Sequence, residues 1–195
     1  MSLEKERMLR GEPYLANHPD LLEERKQCRL LCERFNAISF GETAARRVVL
    51  RELLGRLGEE AEVMAPFQCD YGRHISVGAR TFINYNAVVL DGAAVTIGED
   101  VQIGPGVQLL TALHPLDPVE RRRGTETAKP ITIGDGAWLA TGVIVCPGVT
   151  IGADTVVGAG SVVTEDLPAG HLCFGNPCRV IRRIASTDGS PTSAS

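Results

Sequence analysis

The chain has 195 residues, of which 44% are hydrophobic, 23% charged and 5% aromatic, and its formal net charge is −4. That is enough chain for one domain with a real core, and the small negative charge gives no general reason to expect nucleic acid or an anionic membrane as partner. No basic segment leads into a long apolar stretch and no run is long enough to span a bilayer, so neither signal peptide nor membrane span is expected, and the location implied is cytoplasmic. Cys28, Cys32, Cys69, Cys146, Cys173 and Cys178 form no CxxC pair and read as reduced thiols, with Cys28 and Cys32 brought close by i,i+4 spacing on a helix.

Residues 1–60 read as a helical cap. In "HPDLLEERKQCRLLCERFNA", Leu21, Leu22, Cys28, Leu31, Cys32 and Phe35 recur near one face at helical spacing, and Pro19 suits a first helical position. A second helix over "ETAARRVVLRELLGRLG" gathers Val49, Leu50, Leu53, Leu54 and Leu57, with Gly58 as its stop. Each amphipathic face needs an apolar surface to cover.

From about 61 to 184 the spacing changes. Aliphatic residues recur every six positions: Val77, Ile83, Val89; then Ile97, Ile103, Leu109; then Ile133, Leu139, Val145, Ile151, Val157, Val163. Period 2 would mean an ordinary strand and period 3.6 a helix. Period six, with Gly, Asn and Asp between, means a short strand and a corner, and three such sides make one coil of a parallel β-helix. The pattern gives four clear coils with a partial one at each end. The step from Val89 to Ile97 is eight, which places a two-residue insertion near Gly92–Ala94. The step from Leu109 to Ile133 is far longer, and "TALHPLDPVERRRGTETAKP" fills it with polar, charged and proline-containing sequence. Residues 110–131 are therefore an extruded loop between whole coils, of a length that is usually functional or disordered. The terminal stretch 185–195 is small and polar, and reads as a disordered tail.

There are four histidines, and His114 is the one inside the long loop, between Leu113 and Pro115. An imidazole is ordinarily neutral near pH 7 and can take a proton from an attacking alcohol, so His114 is the candidate general base. "GPGVQL" and "GAGSVV" begin G-x-G but lack the third glycine and the βαβ setting, so they are coil corners rather than nucleotide loops.

Taken together, "GEPYLANHPDL", "FNA", "CDYGRHISVG", "FINYNAVVLD", "VQIGPGVQLLTALHPLDPVERR", "KPITIGDGAWLATGVIVCPGVTIG", "VVGAGSVVTEDLP" and "GNPCRVIRRI" resemble the maltose/galactoside O-acetyltransferase family. That family belongs to the hexapeptide-repeat acyltransferases and includes nodulation O-acetyltransferases. The resemblance covers roughly residues 6–184, and its most specific feature is the long loop with its His-Pro.

The resemblance implies a mainly β fold: a left-handed parallel β-helix, against the usual right-handed crossover, with an N-terminal helical segment and a long extruded loop. It implies acetyl-CoA as co-substrate, no metal, and a homotrimer with sites between subunits. It puts the catalytic histidine at His114, and it puts Asp70, Asn84 and Asp91 around the acceptor, where a sugar needs several hydrogen-bonding groups; Glu126 in the loop is a further candidate, beside His114. Trp138, Thr141, Ala159 and Thr164 are implied along the CoA, with Arg179 and Arg182 near its phosphates, which suits the planar, multi-donor guanidinium.

Three positions depart from the family pattern: Leu15 and His18 stand where relatives often carry polar or acidic residues, and Glu165 where many carry lysine. The reading is an acetyl-CoA-dependent O-acetyltransferase acting on a sugar or oligosaccharide hydroxyl. Acetylation of an amine or xenobiotic, or a non-catalytic trimeric scaffold, are the alternatives. A three-histidine metal site of the carbonic-anhydrase kind is disfavoured, because His74, His114 and His171 are scattered.

Overall fold

The computed structural model describes residues 2–185. Nearly all of the segment expected to be a disordered tail lies outside the described residues.

Three helices open the chain: α1 (Leu3–Leu9), α2 (Pro19–Ala37) and α3 (Thr43–Leu53). Pro19 does start α2, and His18 caps it, its ring nitrogen Nδ1 accepting from the Asp20 N–H at 3.4 Å. Leu21, Cys28, Cys32 and Phe35 form the buried stripe of α2, whereas Leu22 is 48% exposed, so the stripe is narrower than the spacing suggested. The second helix stops at Leu53, four residues before the expected Leu57. Gly55 marks the reason, because a Cβ there would sit 2.2 Å from the Arg73 carbonyl oxygen. The chain passes flat against the first corner at that point, and Leu57 already belongs to a strand.

The rest is a parallel β-helix with three faces. The first face stacks Arg56–Leu57, Ile75–Val77, Val95–Ile97, Ile131–Ile133 and Thr150–Ile151. The second stacks Glu62–Val63, Phe82–Ile83, Gln102–Ile103, Trp138–Leu139, Val156–Val157 and His171–Gly175. The third stacks Phe67–Cys69, Ala87–Leu90, Gln108–Leu110, Ile144–Val145 and Val162–Val163. The register holds the six-residue beat in place: Val77 pairs with Ile97, Ile83 with Ile103, Val89 with Leu109. These inward residues are at most 2% exposed, and each fully buried aliphatic side chain contributes roughly 1.5–3 kcal/mol.

Leu57, Val63 and Cys69 make the leading coil complete rather than partial. Leu57 was masked by the helical pattern before it, and Cys69 is not aliphatic. At the far end a bridge from Ile151 to Leu167 and the strand His171–Gly175 begin a further coil, and Cys178–Arg183 folds back on that strand.

Every insertion falls on one edge, the corner from the third face to the first. Residues 70–74, 91–94 and 111–130 leave the coil there in succession. The long insertion is more ordered than an open loop. Ala112–Leu113 pairs antiparallel with Thr125–Ala128, and the short helix α4 (Pro118–Arg122) lies between them, capped by Asp117. Tyr14–Leu15 adds a third strand, placing Tyr14 opposite Glu126.

Candidate active site

The edge that carries the insertions collects most of the polar side chains foreseen for the acceptor. His114 follows the strand Ala112–Leu113 directly and holds an exposed ring. Its Nδ1 lies 3.8 Å from Oε1 of Glu126, too long for a hydrogen bond but close enough to stabilise an imidazolium. Glu126 is itself held: its Oε2 accepts from the Tyr14 hydroxyl at 3.0 Å. Tyr14 is 3% exposed. Burial first, and then the Glu126 charge, push its hydroxyl well above the ordinary tyrosine range, so it stays a donor.

Beneath this pair lie the two shorter insertions. Asp70 is half-buried, and burial first, then the Asp91 charge, raise its carboxyl above the usual carboxylate value. Asp91 has no exposed surface. Its Oδ1 accepts from the amides of Asp70 at 3.0 Å and Tyr71 at 2.8 Å, so it orders the Asp70 corner from inside. Its Oδ2 is buried without a hydrogen bond, 4.0 Å from His74 Nδ1, and burial is the first cause raising its pKa. His74 must carry its proton on Nδ1, because that atom lies 2.6 Å from the Asp91 carbonyl oxygen, which can only accept. Tyr71 closes the corner, its hydroxyl accepting from Arg25 at 2.7 Å and its pKa pushed up to about 12, chiefly by burial.

Asn84 does not join this group. It follows the second-face strand Phe82–Ile83, on the edge between second and third faces, and its Oδ1 accepts from the Tyr85 amide. Trp138, Thr141 and Ala159 belong to this other edge, as the coil stacking shows: the Gly160 amide donates to the Thr141 carbonyl at 2.9 Å. A shallow groove of about 220 Å³ runs there, lined by Phe82, Asn84, Gln102, Pro105, Trp138 and Thr141. Gly142, at φ +69°, turns this corner with open space where a Cβ would stand, so an extended ligand can approach the backbone.

Thr164 follows Val162–Val163 and is exposed on the insertion edge, apart from Thr141 and Ala159. Arg179 and Arg182 are exposed on the last hairpin, opposite Phe174 and Leu172, and among the described residues neither meets a carboxylate. Both guanidiniums are therefore available to an anion.

One chain thus carries two candidate half-sites separated by its third face: an edge with an imidazole and carboxylates, and an edge with a shallow groove. Sequence reasoning missed Tyr14, Tyr71, Arg25 and His74. Tyr14 lies 112 positions from its partner Glu126, so no local pattern could pair them. A tyrosine beside a conformationally restricting proline in "GEPY" was the one available signal.

A family profile described as the maltose acetyltransferase hexapeptide capping motif matches residues 7–58, and one described as bacterial transferase hexapeptide (six repeats) matches residues 130–165. The chain is 37% identical over 183 residues to the galactoside O-acetyltransferase of Escherichia coli, covering 94% of this chain and 90% of that one. A maltose O-acetyltransferase from Clostridium difficile superposes with a TM-score of 0.93 at 44% identity, covering 95% of this chain and 99% of that one. A hexapeptide-repeat acetyltransferase from Vibrio cholerae, complexed with acetyl-CoA, superposes with a TM-score of 0.87 at 42% identity, covering 95% and 100%.

Proposed function

The chain belongs to the maltose/galactoside O-acetyltransferase family of hexapeptide-repeat acyltransferases, and on that premise we propose that it acetylates a hydroxyl of a sugar or oligosaccharide, with His114 as general base. It is an acetyltransferase, and acetyl-CoA is its co-substrate. The observation that carries the finer reading is the row Tyr14–Glu126–His114: a buried donor fixes a carboxylate that faces an exposed imidazole.

The chemistry follows from that row. Nδ1 of His114 faces Glu126, which leaves Nε2 free for the acceptor hydroxyl. As the acceptor oxygen attacks the thioester carbonyl, Nε2 takes its proton. The Glu126 carboxylate favours the imidazolium that results. Collapse of the tetrahedral intermediate breaks the C–S bond, and the imidazolium returns the proton to the departing thiolate. The products are CoA thiol and the O-acetyl ester, and proton help of this kind is worth about 10²–10⁴ in rate. Asp70 supplies a further polar group at the insertion edge, while Asp91 acts through the Asp70 and Tyr71 amides.

The two half-sites also favour a homotrimer with sites between subunits. Tyr85, Trp138, Phe174, Val180 and Ile181 are large apolar residues left exposed along the second face, its edge and the last hairpin. A second copy docked there would cover them and bring an insertion edge to the groove. Trp138 and Thr141 line the groove, Ala159 stands one coil further along the same edge, and the exposed Arg179 and Arg182 on the last hairpin are the cations we assign to the CoA phosphates.

The test is CoA thiol release from acetyl-CoA with a panel of sugars, followed by product analysis. The reading predicts turnover with a sugar and an alkali-labile O-acetyl product. Turnover confined to amines, giving alkali-stable N-acetyl products, would contradict it.

A further inference from the structure

Beside the Asp70 corner and under α2, Cys28, Cys32 and Cys69 are the group among the described residues whose ligand atoms could share an ion, all three sulfurs lying within 4.8 Å of one another. One helical turn separates Cys28 and Cys32 on the inner side of α2. Cys69 ends the leading strand of the third face. In later coils that inward place belongs to Val89, Leu109, Val145 and Val163. A sulfur takes it in the coil that α2 covers.

The Cys69 sulfur lies 3.5 Å from that of Cys28 and 3.7 Å from that of Cys32. All three thiols are free, and their exposures are 3%, 0% and 6% for Cys28, Cys32 and Cys69. A central atom bonded to thiolates at about 2.3 Å holds its sulfurs roughly 3.5–4 Å apart, and the two distances from Cys69 fall in that range.

Two features select its class. Three sulfurs are soft donors and favour thiophilic centres over hard ones. The group contains no histidine or carboxylate as fourth ligand, and its burial keeps bulk water away, which is a poor match to a tetrahedral divalent ion. A trivalent, three-coordinate centre fits better. Three thiolates neutralise it, so no net charge is left buried.

We propose that Cys28, Cys32 and Cys69 form a three-sulfur site for a trivalent thiophilic metalloid of the arsenic(III) class. With arsenous acid the exchange balances without oxidant or reductant. Three As–S bonds replace three As–O bonds, and the three thiol protons leave with the three hydroxides as water. A shallow groove lined by Arg29, Glu33, Gln68, Cys69, Asp70 and Leu90 lies beside the cluster. Occupancy clamps α2 to the leading coil and stabilises the folded state by linkage.

The reduced full-length protein is incubated with arsenite, freed of excess, and read by native mass spectrometry, arsenic analysis and cysteine alkylation. The expected result is one arsenic per chain, protection of these three of the six cysteines beyond that in arsenic-free protein under the same mildly denaturing conditions, and a higher thermal midpoint. Cys28→Ala, Cys32→Ala and Cys69→Ala each weaken retention by at least about tenfold, while Cys146→Ala does not. Where a variant fails to fold, the alkylation map of the unaltered protein decides. Protection of other cysteines, retention unaffected by any of the three substitutions, or tighter equimolar retention of Zn²⁺ than of arsenic overturns the assignment.

Discussion

His114 depends on neighbours that the chain delivers from distant places. Its ring is exposed, but the carboxylate facing it is fixed by a buried tyrosine hydroxyl. His114→Ala should therefore lower kcat by about 10²–10⁴ in a protein that still folds. Tyr14→Phe keeps the ring packing and deletes the one hydrogen bond to Glu126. It should lower kcat several-fold while KM for acetyl-CoA stays near its original value, because Tyr14 stands on the edge opposite the groove; equal loss in KM would mean that Tyr14 acts by general distortion. Asp91 gives a prediction of stability against pH. Its pKa is raised above the ordinary 3.8, chiefly by burial. The fold therefore keeps the Asp91 proton where the unfolded chain has lost it, and stability falls as pH rises from about 3.8 through the raised value. Asp91→Asn retains an oxygen for the Asp70 and Tyr71 amides and abolishes the titration. The stability of Asp91→Asn relative to the unaltered protein should grow between pH 4 and pH 7 in urea unfolding; a difference that is constant or shrinks would contradict the buried-carboxylate account.

At the scale of elements, the six-residue spacing made the prism legible because each inward aliphatic meets the same inward position of the next coil. The spacing failed where another pattern overlaid it. Leu57 continued a helical stripe, and only the close approach of Gly55 to Arg73 shows why the helix ends before it. Cys69 broke the aliphatic series, and the eight-residue step after it went unread. The insertion 110–131 was visible as an interruption, but its hairpin was not, since the strand that completes the sheet is Tyr14–Leu15, about a hundred residues earlier. His18 looked like a departure at the acceptor and serves as the cap of α2. The Gly55 approach is open to measurement. Gly55→Ala should destabilise the protein by roughly 1–3 kcal/mol, because backbone must move to admit the methyl group. Gly41→Ala, where nothing lies within 4 Å, should be nearly neutral. Equal thermal shifts for the two would remove the packing argument for the helix end.

For the whole molecule, the residues foreseen for a site between subunits fall on two edges of a single prism. Asp70, Asp91, His114, Glu126 and Thr164 stand at the insertion edge, and Asn84, Trp138, Thr141 and Ala159 at the groove edge. The six-residue spacing counts off successive faces, so it separates Asn84, Thr141 and Ala159, which follow second-face residues, from Asp91 and Thr164, which follow third-face residues; it could not place His114 and Glu126, which lie in the long insertion. The proposed site is complete only when one subunit's insertion edge meets another's groove edge. Mixing two variants measures this directly. His114→Ala and Asn84→Ala are each assembled alone, both nearly inactive, and then reassembled together from unfolded chains. The account predicts that the mixture regains roughly a quarter of the original activity, since random assembly gives about that share of sites with both halves intact. Activity no greater than the sum of the two variants, in a mixture shown to have exchanged subunits, would contradict it.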